Sequence, residues 1–495
     1  MTSVMIAYTV IFLYTLVLLS ITLYCLLQFH LLFQYQKGEK NKSSSAGKFI
    51  NSQDLPFVTI QLPIYNERYV VERLLDNIVH LDYPANKLEI QVLDDSTDDT
   101  SIVCKDKIEK YKSQGYDMKY LHRSERDGFK AGALRDALLE ANGEYIAIFD
   151  ADFLPPKDFL KQTIPYFNDP KVGVVQTRWE HINEDFSLIT RLQAFQLNVH
   201  FTIEQGGRQN GGYLLQFNGT AGVWRRKTIT DAGGWQADTL TEDLDLSYRA
   251  QMKGWKIIYR KDVISPAELP SEMSGLKSQQ FRWMKGGAEN AKKLIPSILR
   301  SEMSFIKKLH ATAHLLSSSI FLLVFLLAVL SVPALFMMST IHLNVRIYGI
   351  FMLGMMSTGA IYFTANKDTA WKEDSVVRKM IKFTIMFPLF LSLSMGLSLH
   401  NSIAVLQGYL GRKSAFVRTP KFNIHQLQDN FKKSIYSASN VSVTTIIEGI
   451  LALYFLVAII IGVDQGKTSF ILYHLMLMTG FGSIFIYSIK HAYQR

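Results

Sequence analysis

The chain has 495 residues, too many for one ordinary soluble domain and enough for two or three, and 48% of them are hydrophobic against 19% charged. Many of the lysines and arginines behind its net charge of +10 flank apolar segments, which marks cytoplasmic orientation rather than nucleic-acid binding. No basic region with heptads and no zinc-finger spacing occurs, and the two cysteines, Cys25 and Cys104, form no metal or redox pattern and suit a reducing compartment.

Val4 to Phe33 contains no Asp, Glu, Lys or Arg. It is longer than the apolar core of about 7–15 residues in a signal peptide and long enough for the roughly 20 residues of a spanning helix. It reads as a retained anchor. Lys37, Lys40, Lys42 and Lys48 follow it against one acid, Glu39, which places the next segment in the cytoplasm. Anchor and basic linker are assigned to 1–48 and a cytosolic catalytic domain to 49–300.

From Phe57 the pattern changes to short β runs alternating with amphipathic helices. Phe57 to Leu62 reads as a buried strand, and Glu67 to Leu81 as a helix with Val71, Leu74, Leu75 and Ile78 on one face. Leu88 to Leu93 is a strand ending in Asp94-Asp95, Thr97 to Tyr111 a helix, and Met118 to Leu121 a strand. Gly128 to Asn142 is a helix, Tyr145 to Phe149 a strand ending in Asp150-Ala151-Asp152, and Val172 to Gln176 another strand. Strands separated by helices predict an α/β, doubly wound, mainly parallel sheet. Ligands bind at the C-terminal ends of such strands, where both acidic clusters lie.

Alternation along an extended chain points Asp150 and Asp152 the same way, so two carboxylates can face one ligand. Hard oxygens of this kind suit Mg²⁺ or Mn²⁺ bridged to a diphosphate. Asp94-Asp95 reads equally well as an N-cap for the following helix. Thr241-Glu242-Asp243 opens a further helix. Its acids suit the positive end of the helix dipole, and Asp243 is a candidate general base for an acceptor hydroxyl. In Gln279-Gln280-Phe281-Arg282-Trp283, Gln279 and Arg282 share a helix face. Arg282 can grip a diphosphate with two parallel bonds, and Trp283 offers a flat apolar face to a sugar ring.

The membrane region is assigned to 301–495. Leu309 to Leu343, behind Lys307 and Lys308, and Ile347 to Ala365 look like an out-and-back pair. Thr445 to Val463 and Ser469 to Tyr487 make a second pair, with Glu448 at its edge and expected to be solvated. Ile381 to Leu410 is apolar but broken by Lys382, Pro388 and Gly396. The basic stretch Arg412 to Lys433 after it belongs inside, so the segment should cross an even number of times, re-enter, or lie along the surface.

The ordered set of acids, D-x-D, T-E-D and Q-x-x-R-W resembles the processive branch of glycosyltransferase family 2, which holds the cellulose, hyaluronan and mannan synthases. Pro63-Ile64-Tyr65-Asn66-Glu67, Gly128-Phe129-Lys130-Ala131-Gly132, Val175-Gln176-Thr177-Arg178-Trp179 and Phe217-Asn218-Gly219-Thr220 are similar to phrases of cellulose-synthase-like and mannan-synthase-like members. The resemblance implies a nucleotide-sugar-binding (GT-A-like) sheet inserted between transmembrane α-helices. It implies that Asp94, Asp95, Lys130, Asp150, Asp152, Gln279 and Arg282 bind the donor, that Asp152 holds the metal, that Asp243 is the base, and that Trp283 and Glu242 meet the acceptor. Phe416-Val417-Arg418-Thr419-Pro420-Lys421, within a cytosolic loop near 412–433, is similar to the gating loop of cellulose synthases, with Phe416, Thr419 and Lys421 in matching places. It departs from that pattern in carrying Arg418 where a Val is usual.

One base and no second carboxylate nucleophile point to a single displacement with inversion. The expected protein is a multi-pass enzyme of the inner (plasma) membrane that moves a sugar from a UDP-glucose-type or GDP-mannose-type donor to a growing β-linked polysaccharide, processively and coupled to export. It would use Mg²⁺ or Mn²⁺, touch membrane lipid, bind no nucleic acid and have room for accessory export subunits. The competing expectation is a glycolipid synthase that adds one sugar to a ceramide or diacylglycerol.

Overall fold

The structure is a computed structural model that describes residues 2–40, 55–414, 419, 421, 423 and 441–493. Phe416 and most of the expected gating loop lie outside the described residues. Seven strands form one mixed sheet: β1 (Val58–Ile64), β2 (Leu88–Asp94), β3 (Asp117–His122), β4 (Tyr145–Ile148), β5 (Val172–His181), β6 (Gly222–Arg225) and β7 (Lys256–Ala267). Their order is β3-β2-β1-β4-β6-β5-β7. β6 runs antiparallel to β4 and to β5, and the other pairings are parallel.

β1, β2 and β4 are buried along nearly their whole length, which requires apolar cover on both faces. The helix Val71–Ile78 supplies part of it by burying Val71, Leu74, Leu75 and Ile78, the face that its spacing predicts. From β1 the chain winds outward to β3 and then returns to β4 on the other side. The crevice between β1 and β4 is therefore the switch point at which doubly wound sheets bind ligands. The sequence reading lacked β6 and β7. β6 has only four residues, too few to show a period of their own.

Among the described residues five helices are long and apolar enough to cross a membrane: Val4–Lys40, Ser317–Met338, Arg346–Lys367, Val443–Asp464 and Ile471–Lys490. The chain is built as a multi-pass membrane protein. The helices Val376–Gly396 and Ser398–Tyr409 pass the same test together but bend by 48° at their junction, in the segment that the basic stretch after it required to be something other than one plain crossing. Gly396 fits the bend, because a Cβ built on it would lie 2.5 Å from the Gly480 carbonyl of the last helix.

The amphipathic helix Met273–Arg300 joins the sheet to this bundle. From it Lys277 reaches Glu448 of the helix Val443–Asp464, Nζ donating to the carboxylate at 2.6 Å and to Thr445 Oγ1 at 3.3 Å. Glu448 is fully buried, so the expectation of a solvated acid is corrected: tertiary packing brings it a lysine from a distant helix. Removing one partner of a buried pair strands the other charge at a cost of about 3–5 kcal/mol. Glu448→Ala is therefore expected to lower the thermal unfolding temperature of the detergent-solubilised protein. Lys277→Met with Glu448→Leu, which removes both charges and keeps the volume, should recover most of that loss. Unfolding at the wild-type temperature in Glu448→Ala would refute the pairing.

Candidate active site

A cavity of 210 Å³ opens at the switch point. Asp95 follows β2, Asp150 and Asp152 follow β4, and Lys130 projects from the helix Phe129–Glu140; all four line the cavity. The helix Glu242–Met252 brings Glu242 and Asp243 to it, and the helix Met273–Arg300 brings Gln279, Arg282 and Trp283 to the facing wall. Thr419 and Lys421 complete the lining. Of the residues expected at the site, Asp94 is not among its walls. Its carboxylate turns inward, accepting from Ser101 Oγ at 2.5 Å, Tyr120 Oη at 2.6 Å and the Ser96 N–H at 2.9 Å. Burial pushes that carboxyl up, but these bonds outweigh it and hold it below the ordinary value. Asp94 shapes the turn, while Asp95 lines the cavity, its two oxygens accepting from Arg123 at 2.8 and 2.6 Å.

Lys130 Nζ lies 2.5 Å from Asp150 Oδ1 and donates to the Gly219 carbonyl at 2.9 Å. Gly219 has φ of +81°, and a Cβ there would lie 3.0 Å from Asp243 Oδ2 and 3.5 Å from Lys130 Nζ. Only glycine takes this backbone at such close quarters without strain. Asp152 Oδ2 accepts from the Glu268 N–H at 3.0 Å and from Lys421 Nζ at 2.7 Å. Arg282 Nη2 donates to Thr419 Oγ1 at 3.0 Å. The expected acids, cations and Q-x-x-R-W residues thus converge from six separate stretches of chain.

Residues 56–286 match the family described as Glycosyltransferase like family 2. Over that stretch the chain is similar to family 2 glycosyltransferases. The chain is 41% identical over 256 residues to glucomannan 4-beta-mannosyltransferase 7 of Arabidopsis thaliana, covering 51% of this chain and 46% of that protein. It is 40% identical over 267 residues to glucomannan 4-beta-mannosyltransferase 2 of the same plant, covering 53% and 50%. The chain spans about half the length of these curated relatives. Among solved structures, a mannosyltransferase from Pyrobaculum calidifontis in complex with GDP-Man and Mn²⁺ superposes with a TM-score of 0.55 at 20% identity, over 82% of this chain and 100% of that one. That likeness carries the GT-A-like fold.

Asp150 and Asp152 bring carboxylate oxygens to the cavity, and Mg²⁺ or Mn²⁺ takes one or two carboxylates and fills its shell with water and substrate phosphates. Asp152 already balances a cation, the Lys421 ammonium. The donor set therefore fits a metal shared between the D-x-D acids and a diphosphate.

Glu242 and Asp243 keep access to the cavity while protein surrounds them. Burial pushes both carboxyls up. The neighbouring Glu242 raises Asp243 further, and Lys130 pulls in the opposite direction. Burial by itself would lower Lys130, but Asp150 and Glu242 outweigh it and keep the ammonium charged. The result is a carboxyl held above the ordinary carboxylate range, where acceptance of a proton from a hydroxyl is better matched.

A second cavity, of 580 Å³, runs from this point between the membrane helices. It meets the first at Trp179, Leu197, Asn218, Thr241, Asp243 and Trp283, which line both. Trp179 and Asn218 stood in the sequence only as parts of family phrases, and no residue type or spacing marked them as site residues.

The pH dependence follows from these signs. A base at Asp243 must be ionised to accept a proton, and its raised pKa would make the rate fall at a higher pH than an ordinary carboxylate dictates. Lys130 lowers that pKa, so Lys130→Met is expected to move the acid limb of the kcat/KM profile upward as well as weaken donor binding. A profile with an unshifted acid limb in Lys130→Met would show that Asp243 is not the group titrating.

Proposed function

We propose that this chain is a membrane-bound, inverting β-mannosyltransferase that extends a β-linked polysaccharide from GDP-mannose. The observation that carries the reading is the position of Asp243 at the junction of the two cavities, one walled by acids and cations and the other leading between the spanning helices. The names of the Arabidopsis relatives, both 4-beta-mannosyltransferases, favour mannose over glucose, and GDP-Man in the archaeal structure agrees with them. Asp95, Lys130, Asp150, Gln279 and Arg282 bind the donor, and Asp152 would hold Mg²⁺ or Mn²⁺. Trp283 and Glu242 face the acceptor.

An acceptor hydroxyl attacks the anomeric carbon, the bond from that carbon to the diphosphate oxygen breaks, and Asp243 takes the hydroxyl proton. One displacement turns an α-linked donor into a β-linked product. A bound metal adds positive charge beside the leaving diphosphate. Arg282 and Lys130 are fixed cations already aimed at the same region, and preorganised charge of this kind is usually the largest catalytic contribution. Thr419 and Lys421 close the donor side, where a diphosphate offers Lys421 an anion in exchange for Asp152. With the glycosyltransferase domain in the cytoplasm, as the lysines after the first helix indicate, the lengthening chain enters the membrane cavity. That cavity carries rings as well as aliphatic side chains, including Trp179, Phe201, Tyr362 and Phe387, surfaces on which sugar rings stack.

A donor screen on the purified protein, with mass analysis of the product, tests the whole reading. GDP-mannose should support a ladder of hexose units. A product one hexose heavier than a lipid would establish the glycolipid reading instead. Within that assay Asp243→Asn should bind donor as tightly as wild type and lose about 10²–10⁴-fold in transfer, whereas Asp152→Asn should lose metal-dependent donor affinity. Unchanged donor affinity in Asp152→Asn would remove the metal assignment.

A further inference from the structure

We propose that Arg126 reads the base of the donor nucleotide and selects guanine over uracil, with Tyr65 as the positioning residue that backs its guanidinium. The inference rests on the GDP-mannose reading above and names the group that enforces the choice of base. The sheet fixes which end of the donor cavity takes that base. β2 and β4 flank β1 on opposite sides. Asp150 follows β4, and Asp243 and Trp283 lie where the donor cavity meets the membrane cavity. Tyr65, Asp95 and Arg126 line the donor cavity but not the membrane one. A donor with its sugar at Asp243 and its diphosphate at Asp150, Asp152 and Arg282 therefore brings its base to Tyr65, Asp95 and Arg126.

Two guanidinium groups stand at that end, and Asp95 needs only one of them. Arg123 covers both Asp95 oxygens. It also donates to the Asp127 and Phe129 carbonyls at 3.0 and 2.8 Å, and so braces the turn that carries Arg126. Arg126 Nε stands 3.7 Å from Asp95 Oδ2, beyond hydrogen-bond length. Its Cζ lies instead 3.3 Å from the centre of the Tyr65 ring and 5.4 Å from that of Phe129. Burial lowers the Arg126 pKa, Tyr65 and Asp95 support the charge, and Arg123 repels it. A second guanidinium held beside a like charge costs free energy, and a ligand that accepts from it returns part of that cost.

Tyr65 is itself held in place. The next residue, Asn66, has left-handed backbone with φ of +54°. Its N–H donates to Ser96 Oγ at 2.8 Å, and its Oδ1 accepts from the Thr97 N–H at 2.8 Å. These bonds tie the end of β1 to the turn after β2, so the ring that backs Arg126 has a fixed place. A guanidinium is a rigid fork of donors. Guanine presents two neighbouring acceptors, O6 and N7, which such a fork meets with two parallel bonds. Uracil has no such pair: its N3–H stands between O2 and O4, and a C–H lies on the other side of O4. Arg126 therefore donates two bonds to guanine and one at most to uracil.

The test measures nucleotide affinity by calorimetry on the full-length protein in detergent with Mn²⁺, and needs no transfer. Wild type should bind UDP about 5- to 150-fold more weakly than GDP, the worth of one bidentate pair. 7-Deaza-GDP, with a C–H in place of N7, should bind wild type several-fold more weakly than GDP. Arg126→Lys keeps the charge and loses the fork. It should bring GDP affinity down toward that of UDP, leave UDP affinity little changed, and bind 7-deaza-GDP as tightly as GDP. Tyr65→Ala should lower the GDP preference, and Tyr65→Phe, which keeps the ring, should restore it; an unchanged preference in Tyr65→Ala would overturn the positioning role. An unchanged GDP preference in Arg126→Lys, or equal affinity of wild type for GDP and 7-deaza-GDP, would overturn the inference while leaving the GDP-mannose reading intact. Wild type that binds UDP as tightly as GDP would refute that reading and this inference with it. The 7-deaza-GDP comparison uses wild-type protein alone, so it decides the matter even where Arg126→Lys fails to fold.

Discussion

Too many carboxylates face one small space. Glu67, Asp95, Asp150, Asp152, Glu242 and Asp243 all line the same cavity, and protein screens them poorly compared with water. Left alone they would repel one another. Cations from elsewhere in the chain offset this: Arg123 on Asp95, Lys130 on Asp150 and Lys421 on Asp152. Lys130 has the central place, because its ammonium also fixes the Gly219 carbonyl and lies close enough to Asp243 to lower that carboxyl's pKa. The left-handed backbone at Gly219, the close packing beneath Asp243 and the readiness of the base follow from where this one side chain sits.

The same charge arrangement suits a nucleotide-sugar. A diphosphate is itself anionic and would be repelled by bare acids. Arg282 and Lys130 line the cavity as cations that offset the acids on that side, and a metal on the D-x-D acids would add to them. Asp243 lies at the other end, against the membrane cavity, where partial desolvation raises its basicity. One cavity thus holds an electrophilic and a basic end a short distance apart.

Site and membrane share a single rigid part. The helix Met273–Arg300 carries Gln279, Arg282 and Trp283 toward the donor cavity and Lys277 toward Glu448 of a spanning helix. One face lines the cavity and another is ion-paired to the bundle, so the two cannot shift independently without stranding a buried charge. The mouth of the membrane cavity therefore keeps its alignment with Asp243.

The apolar runs, the amphipathic face of Val71–Ile78, the strand before Asp150-Ala151-Asp152 and the helix start at Glu242 were all legible in the sequence. Each is written within one or two turns of chain, and a period of 2 or 3.6 carries it. The choice between Asp94 and Asp95 was not legible. Alternation sends adjacent side chains to opposite faces, but only packing against Ser101 and Tyr120 shows which face is the interior. Nor was Glu448, whose partner lies 171 positions away, or Lys421, which meets Asp152 across 269. Asn218 is the sharpest case. It reaches the site because the short strand after it runs antiparallel between β4 and β5, so its preceding loop lands at the edge where the parallel strands end. Strand direction in a sheet depends on neighbours drawn from distant parts of the chain, and no local pattern of residues contains it.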